Sequence, residues 1–339
     1  MQNNITNFES TTNIATFRRM KPISFLALAA SLLFLPGCEK EVDFDFDDRD
    51  KLVVISHFTE NKTLDVLVYK TDALSNEAPS VPAFVTDATV MVFEKDEFLE
   101  LLELAPGSGE GSGRASIYRS RRLTPETGKL YTIRVSVPGF DPITAANSIP
   151  VPVPIASVLF NSNLTEANDA GSGSEPALLD FEISVAVQDP AEVKNFYHLI
   201  FHQELFPYTV SSGGDTIVGM KTFAQPNMLQ LKDPDLPVIK NYDNRGFLAD
   251  DRHFNGEKLE IGAVGSYRYD PSQYLAGDFL VELRTVSEAY FFHYSTLTLQ
   301  GELGNNPLGE GVVIYDNIEN GVGIFAGYSS SVNSFRLFN

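Results

Sequence analysis

Short runs of alternating apolar and polar residues recur along the chain, and they constrain its fold more than any other feature. In "YTIRVSV", Ile133, Val135 and Val137 alternate with polar residues. Successive side chains of a β-strand point to opposite faces, so this period of two predicts a half-buried strand. Comparable runs are "KLVVISHF" and "TLDVLVYKT", which flank a predicted hairpin turn at Glu60, Asn61 and Lys62, together with "KLEIGAVGSYRY" and "DFLVELRTV". The chain is therefore predicted to be mostly β.

The composition supports this fold class and excludes one class of partner. The 339 residues include 25 Phe, 13 Tyr, 24 Gly and 19 Pro, which is typical of a β-rich globular protein. A single Cys excludes a disulfide within the chain. The net charge of −20 argues against nucleic acid as a partner, because a phosphate backbone would be repelled.

The N-terminal residues have the pattern of an export signal. Arg18, Arg19 and Lys21 precede an uncharged run from Pro22 to Leu35. A basic region followed by a short apolar region is typical of a signal peptide. The run is shorter than the ~20 residues that a membrane span needs. We assign residues 1–37 to the signal peptide, with the polar residues 1–19 as either an upstream extension or an incorrectly assigned start.

The only cysteine lies where this apolar run ends. Leu35, Pro36, Gly37 and Cys38 resemble the lipobox of bacterial lipoproteins, with leucine three positions before the cysteine and a small residue directly before it. The resemblance implies cleavage after Gly37 and attachment of a lipid, such as palmitate, to the sulfur of Cys38.

The residues after Cys38 form a predicted acidic tether, 38–51. Like charges at this density repel one another and keep a linker extended. One interpretation is a solvated spacer. The other is a sorting signal, because acidic residues directly after a lipidated cysteine resemble the surface-export signal of one group of Gram-negative bacteria.

Two β-sandwich domains in tandem, immunoglobulin-like or fibronectin-like, are predicted after the tether. Leu123, Pro125 and Tyr131 resemble the leucine-proline-tyrosine corner of fibronectin-type sandwiches, which assigns such a fold to residues 52–148. Alternating prolines then predict a stiff, extended connector at 149–156, because proline cannot donate ladder hydrogen bonds.

A second β-rich domain is predicted over residues 157–339, with one short helix. In "EAYFFHYSTLTLQ", Tyr290, Tyr294 and Leu297 share a face at helical spacing, and Gly301 would end the helix. Near the C-terminus, "VVIYDN" and "VGIFAGYSSS" are predicted strands that flank a turn at Asn320 and Gly321.

Several segments together resemble one family. They are "VVIYDNIENGVGIFAGYSS", "DDRHFNGEKLEI", "VSEAYFFHYSTL" and the cysteine followed by "EKEVDFD". The chain is similar to the lipoprotein family catalogued as domain of unknown function 4249. That resemblance implies an uncharacterised outer-membrane lipoprotein of Gram-negative bacteria that works beside a TonB-dependent outer-membrane transporter. It implies no catalytic residue.

Catalytic motifs are missing from the sequence. It contains neither Gly-x-Ser-x-Gly nor His-Glu-x-x-His, so we expect no enzyme and no cofactor. His198 and His202 could share zinc if they lay on a helix. The aromatic and branched stretch "NFYHLIFHQEL" favours a strand, on which positions four apart lie ~13 Å apart, too far to share a metal.

Two weaker candidate sites remain in the segment 213–256. Asp243, Asp250 and Asp251, with Asp233 and Asp235 upstream, could bind calcium, although a solvated acidic loop is favoured. The segment shows little periodicity and is rich in Pro, Asn and Asp, which predicts a long irregular loop that contacts a partner or ligand. The predicted contact residues are Phe223, Met228, Leu229, Leu231, Phe247 and Phe254.

The function expected from these features is binding at the cell envelope. The chain is expected to be an outer-membrane lipoprotein, surface-exposed or on the periplasmic face. It would act as a binding or accessory subunit beside a TonB-dependent transporter in nutrient uptake. The alternative is a structural or adhesive module of the envelope without a small ligand.

Overall fold

Strands account for most of the fold, as the alternating pattern predicts. The computed structural model describes residues 50–71, 83–106, 116–165, 176–241, 243, 245–303 and 311–337. The signal peptide, Cys38 and residues 39–49 of the tether lie outside these ranges. The described residues all belong to one unit, Asp48–Asn339. In this part of the chain, no helix is long and apolar enough to cross a membrane.

The regular elements follow one another along the chain in an order dominated by antiparallel hairpins. The first nine strands are β1 (Leu52–Phe58), β2 (Asp65–Lys70), β3 (Ala83–Phe84), β4 (Thr89–Glu94), β5 (Glu97–Leu101), β6 (Glu103–Pro106), β7 (Ser116–Arg119), β8 (Leu130–Ser136) and β9 (Ile143–Ser148). The remaining elements are β10 (Ile155–Thr165), β11 (Ala177–Gln188), β12 (Phe196–Val210), β13 (Thr216–Val218), β14 (Thr222–Ala224), β15 (Met228–Leu231), β16 (Val238–Lys240), β17 (Gly246–Asp250), a 3-10 helix (Asp251–His253), β18 (Lys258–Tyr269), β19 (Tyr274–Val286), α1 (Glu288–Leu303) and β20 (Val322–Phe335).

Three sheets contain these strands. The long sheet runs β16-β17-β12-β19-β20-β1-β2-β7-β6, with β13 and β14 also paired to β12 and β3 paired to β2. A second sheet has the order β10-β11-β18-β15, and a third has the order β5-β4-β8-β9. Strands β1 and β20 are parallel. Helix α1 packs on the long sheet against β12, β17 and β20.

Three clusters of buried side chains form the hydrophobic core. The first joins the β1–β2 side of the long sheet to the β4–β8 sheet, and the second joins the β12–β19 side to the β11–β18 sheet. The third lies under α1 and contains Phe196, Tyr290, Phe291 and Ile324. Tyr131, Ile133 and Val135 are fully buried, as their alternation predicts.

The C-terminal strand β20 contributes to the core of the N-terminal half. Neighbouring side chains of a strand face opposite sides, and Phe325 joins the first cluster while Ile324 and Ala326 join the third. Phe325 stacks on Phe58 of β1 at 4.6 Å between ring centroids. The core around residues 52–148 therefore includes side chains that come from outside this predicted domain.

The predicted connector is bound to the sheet rather than free. Val153 is buried, and its N–H donates to Thr285 Oγ1 at 2.9 Å. The N–H of Ile155 donates to Ser331 Oγ at 3.2 Å. Alternating prolines keep this segment extended, and the N–H groups of Val153 and Ile155 attach it to β19 and β20.

Several local predictions are confirmed. Strands β1 and β2 form an antiparallel hairpin around Asn61, which has a φ of 60°. The Tyr131 hydroxyl accepts a hydrogen bond from the N–H of Glu126 at 2.9 Å, as in a tyrosine corner. The predicted helix is α1, but it does not end at Gly301, because it continues to Leu303.

Two local predictions are wrong. The segment 213–256 is not a long irregular loop, because it forms β13 to β17 and a 3-10 helix. The stretch "VVIYDN" is not a strand. It runs along α1, where the N–H of Tyr315 donates to Thr296 Oγ1 and the Tyr315 carbonyl contacts His293 Nδ1. These contacts with the helix take the place of a β partner.

Candidate functional site

The six predicted contact residues do not share a surface. Phe223 and Met228 are exposed, and Leu231 is half-buried. Leu229, Phe247 and Phe254 lie in the second core cluster. The interpretation of these three as surface contacts is wrong, because the short strands of this segment turn alternate side chains inward.

The candidate calcium residues already have protein partners. Asp243 accepts from the N–H of Arg245 and pairs with its guanidinium at 3.0 Å. Asp250 pairs with Arg252 at 2.7 Å, and Asp251 accepts from the N–H of Asn195 at 2.6 Å. Within the described ranges, no three His, Cys, Asp or Glu side chains are arranged to hold a metal ion.

His198 and His202 both lie on β12, as the strand interpretation predicts. Their partners differ. His198 Nδ1 lies 2.9 Å from the Tyr290 hydroxyl, whereas His202 Nε2 lies 3.2 Å from Glu282 Oε2. The two rings therefore belong to a network of side chains rather than to a shared metal site.

That network is centred on an ion pair between β19 residues under α1. Arg284 donates to Glu282 through Nε at 2.8 Å and Nη2 at 3.0 Å. Ser330 Oγ also donates to Glu282 at 2.6 Å. The Arg284 guanidinium lies over the Tyr328 ring, 4.5 Å from its centroid.

Burial and charge set the protonation of this network. Burial raises the pKa of Glu282, but hydrogen bonds from His202 and Arg284 outweigh that effect and leave this pKa well below its usual range. Burial lowers the pKa of His198, and the positive charge of Arg284 lowers it further. Burial raises the pKa of Tyr290 to about 12. At neutral pH the network therefore holds an ionised Glu–Arg pair, a neutral His198 and a neutral Tyr290.

The cavity beside this network is small. It measures about 160 Å³ and is lined by His198, Asn241, Arg284, Tyr290 and others. Ligand pockets usually measure roughly 300–1,000 Å³. The cavity falls below that range, and the network residues already bond one another. We therefore interpret this cluster as structural, with its hydrogen bonds attaching α1 to the sheet.

A larger cleft lies at the proline connector. It measures about 720 Å³. Its walls come from residues 146–148, the connector at 150–154, the segment 193–196 and the residues 285–289 that lead into α1. Its volume falls within the range of ligand pockets, and residues far apart in the chain converge on it.

The walls of the cleft are largely apolar. Val151 is 70% exposed and Val193 is 61% exposed, so both present apolar surface to whatever enters. Three connector prolines add rigid rings. The charged groups that line the cleft are Lys194 and Glu288, which pair with each other at 2.6 Å. The cleft thus offers a mostly apolar surface, stiffened by prolines, with one charged pair that carries no net charge.

Sequence reasoning missed this cleft, although two of its signals were visible. The alternating prolines identify the connector but not the segment 193–196 that faces it. The helix start is also visible, since "VSEAYFF" places Ser287 before the first helical residue. Ser287 Oγ accepts from the N–H of Tyr290 at 3.3 Å, as an N-cap side chain does.

Together these features define a mostly β protein with a helix-covered long sheet and a cleft of ligand size. The chain belongs to the family described as Domain of unknown function (DUF4249), which matches residues 39–334. No curated protein matches the chain.

Proposed function

We propose that this protein is a surface-exposed lipoprotein of the outer membrane, anchored through a lipid such as palmitate on Cys38. It acts as a binding or accessory subunit beside a TonB-dependent transporter in nutrient uptake. It binds its ligand or partner in the cleft at the proline connector and carries out no catalysis.

The observation that carries this proposal is the cleft of about 720 Å³. A stiff apolar wall favours binding, because a preformed surface loses little conformational entropy when it is occupied. Docking of Val153 on Thr285 holds that wall in place. We further propose that two β-sandwiches share the long sheet, one around each of the two larger core clusters.

Co-purification tests the binding role. We expect the full chain, extracted from membranes in detergent, to retain a β-barrel transporter. The double variant Val151→Lys with Val193→Lys should lose it, because two charges would enter an apolar cleft. The matched control is Val210→Lys with Val218→Lys, which changes two similarly exposed valines outside the cleft.

Two results would contradict the proposal. One is a wild-type chain that retains no transporter. The other is a cleft variant that retains the transporter as well as the control does, with an unchanged melting temperature for both.

Anchoring is tested separately at Cys38. We expect Cys38→Ser to release the protein from membranes or to leave the precursor uncut, because serine cannot form the thioether to the lipid. Membrane fractionation with the mass of the intact protein measures both effects. A Ser variant that stays with membranes at the mature mass would overturn the lipoprotein assignment.

A structural or adhesive module of the envelope is the second candidate. Strand β10, a long exposed edge strand, favours it, since such edges bind other chains. An envelope defect without loss of uptake, in cells that lack the protein, would favour this function over the first.

A further inference from the structure

Strand β10 differs from the other edge strands of the described sheets. Proteins protect sheet edges from pairing with other chains by making them short, charged or proline-containing. The edge strand β16 has 3 residues and contains Lys240. The edge strand β6 has 4 residues and contains Glu103 and Pro106. Strand β5 has two glutamates, and β15 has 4 residues.

Among the edge strands of the described residues, β9 is the other one that is uncharged and longer than 4 residues, and it is covered by its own chain. The N–H of Thr144 bonds to the Glu319 carbonyl, and the N–H of Glu319 bonds to the Thr144 carbonyl. Asn147 Oδ1 also accepts from the N–H of Gly327. These contacts occupy the edge that β9 would otherwise present.

No such protection is visible on β10. Its 11 residues, "IASVLFNSNLT", carry no charge, and none of them is buried. It pairs with β11 along its whole length and ends the sheet. In the described ranges, its other edge makes no strand pairing, although the strand contacts β20, where the N–H of Ile155 donates to Ser331 Oγ and the Phe160 ring centroid lies 4.9 Å from that of Phe335. About half of the backbone groups of an edge strand point away from its neighbour.

We propose that β10 pairs antiparallel with β10 of a second copy of this chain. A two-fold axis near Phe160 or Asn161 would join the two sheets into one of eight strands. Such an interface is isologous, because the same strand serves both copies.

Charge favours a second copy at this edge. The chain carries a net charge of −20, so most of its surface repels another copy. At the uncharged β10, two copies can meet without placing like charges opposite each other. The nearest acids on the outer face, Asp180 and Glu182, lie one strand further back on β11. Across the joined sheet the two β11 strands would be separated by three strand spacings, about 14 Å, which exceeds the screening length of ~8 Å in physiological salt.

The length of the strand and its side chains also fit self-pairing. Eleven residues extend over about 37 Å, so the contact is longer than an ordinary hairpin. With the axis at Asn161, Leu159 lies opposite Asn163 on the outer face, and Val158 lies opposite Leu164 on the inner face. Asn161 meets its own copy, where the two amides can exchange hydrogen bonds.

The mass of the full chain in detergent tests the proposal. We expect native mass spectrometry to show a dimer for the wild-type chain and a monomer for Leu159→Lys with Asn161→Lys. Both side chains lie on the exposed outer face, so the fold is retained while four lysines oppose one another across the axis. The control Val210→Lys with Val218→Lys should remain dimeric.

Hydrogen exchange of the wild-type chain tests the same point without a variant. Amides of residues 155–165 that point away from β11 should gain protection as the protein concentration rises. A monomeric wild type, or a β10 variant that remains dimeric, would overturn the proposal. Protection of β10 that is independent of concentration would also overturn it, since the edge would then be covered by the same chain or by a tightly bound different protein.

Discussion

At the scale of single residues, Met228 and Leu229 show how the period of a strand decides burial. They are neighbours on β15, yet Met228 is 58% exposed and Leu229 is fully buried. Leu229 lies opposite Gly265 on β18, within the second core cluster. Two adjacent apolar residues thus have opposite roles that their sequence context does not distinguish.

We expect Leu229→Ala to lower the free energy of unfolding by about 2–5 kcal/mol, because it removes buried methyl groups and leaves a cavity. Met228→Ala should change it by less than about 0.5 kcal/mol, as exposed substitutions usually do. Urea denaturation of both variants measures the difference. Equal losses would show that β15 does not turn Leu229 into the core.

His57 is expected to make the stability of the fold depend on pH. Its ring packs against both Tyr290 and Tyr294, and Tyr294 Oη lies 2.9 Å from Nε2. Burial lowers the pKa of His57 to about 4, and the positive charges of Arg284 and His293 add to this effect. An unfolded histidine has a pKa of about 6.5, so between these two values the unfolded state binds more protons than the folded state.

We therefore expect stability to fall as the pH decreases from about 6.5 to about 4, with Glu282 adding a further loss below its unfolded pKa. In His57→Gln the melting temperature should depend less on pH over this window. The control His253→Gln changes an exposed histidine and should keep the wild-type dependence. Parallel curves for all three proteins would contradict this account.

At the scale of elements, two glycines illustrate why β20 and α1 tolerate different substitutions. Gly323 of β20 has a φ of +122°, and a Cβ there would lie 2.1 Å from the Val54 carbonyl oxygen on β1. Gly301 lies in α1, and a Cβ there would meet nothing within 4 Å. The first glycine permits the close approach of β1 and β20, while the second has no packing role.

The two substitutions should have opposite effects. We expect Gly323→Ala to destabilise the protein by several kcal/mol, because both the backbone angle and the clash oppose it. Gly301→Ala should stabilise it by up to about 1 kcal/mol through helix propensity. Thermal unfolding of both variants provides the test. A Gly323→Ala variant as stable as the wild type would mean that β1 and β20 do not pair in this register.

At the scale of the whole molecule, β20 makes the two halves depend on each other. It pairs with β1 over Val322–Gly327 and with β19 over Tyr328–Phe335. Ile318 and Phe325 are buried in the core of the N-terminal half. The C-terminus of the chain thus completes a core that begins near its N-terminus.

We expect a fragment of residues 50–149 to show no cooperative thermal transition, because it lacks β20 and leaves one edge of β1 unpaired. The same fragment joined by a flexible linker to residues 316–337 should regain such a transition. Circular dichroism melts compare the two. A sharp transition for residues 50–149 alone would instead support the independent N-terminal domain that the sequence predicts.

Local patterns in the sequence determined most of the elements of this protein, whereas the tertiary structure decided its candidate site. The alternation at Ile133 and Val135, the turn at Asn61, the corner at Tyr131 and the helix around Tyr290 all rest on interactions within a few residues. Their periods and turn residues are therefore visible in sequence. The short strands of 213–256 were missed because three to five residues are too few to show a period.

Pairings between distant segments cannot be deduced in the same way. The contact of β20 with β1, the cleft between the connector and residues 193–196, and the edge position of β10 depend on which buried faces meet after the chain has returned on itself. Many registers satisfy the same alternating pattern, and packing selects one of them. For that reason the sequence determined that Leu229 is apolar, but only the tertiary structure decided that it lies on a strand and faces the core, while Val151 and Val193 face the cleft.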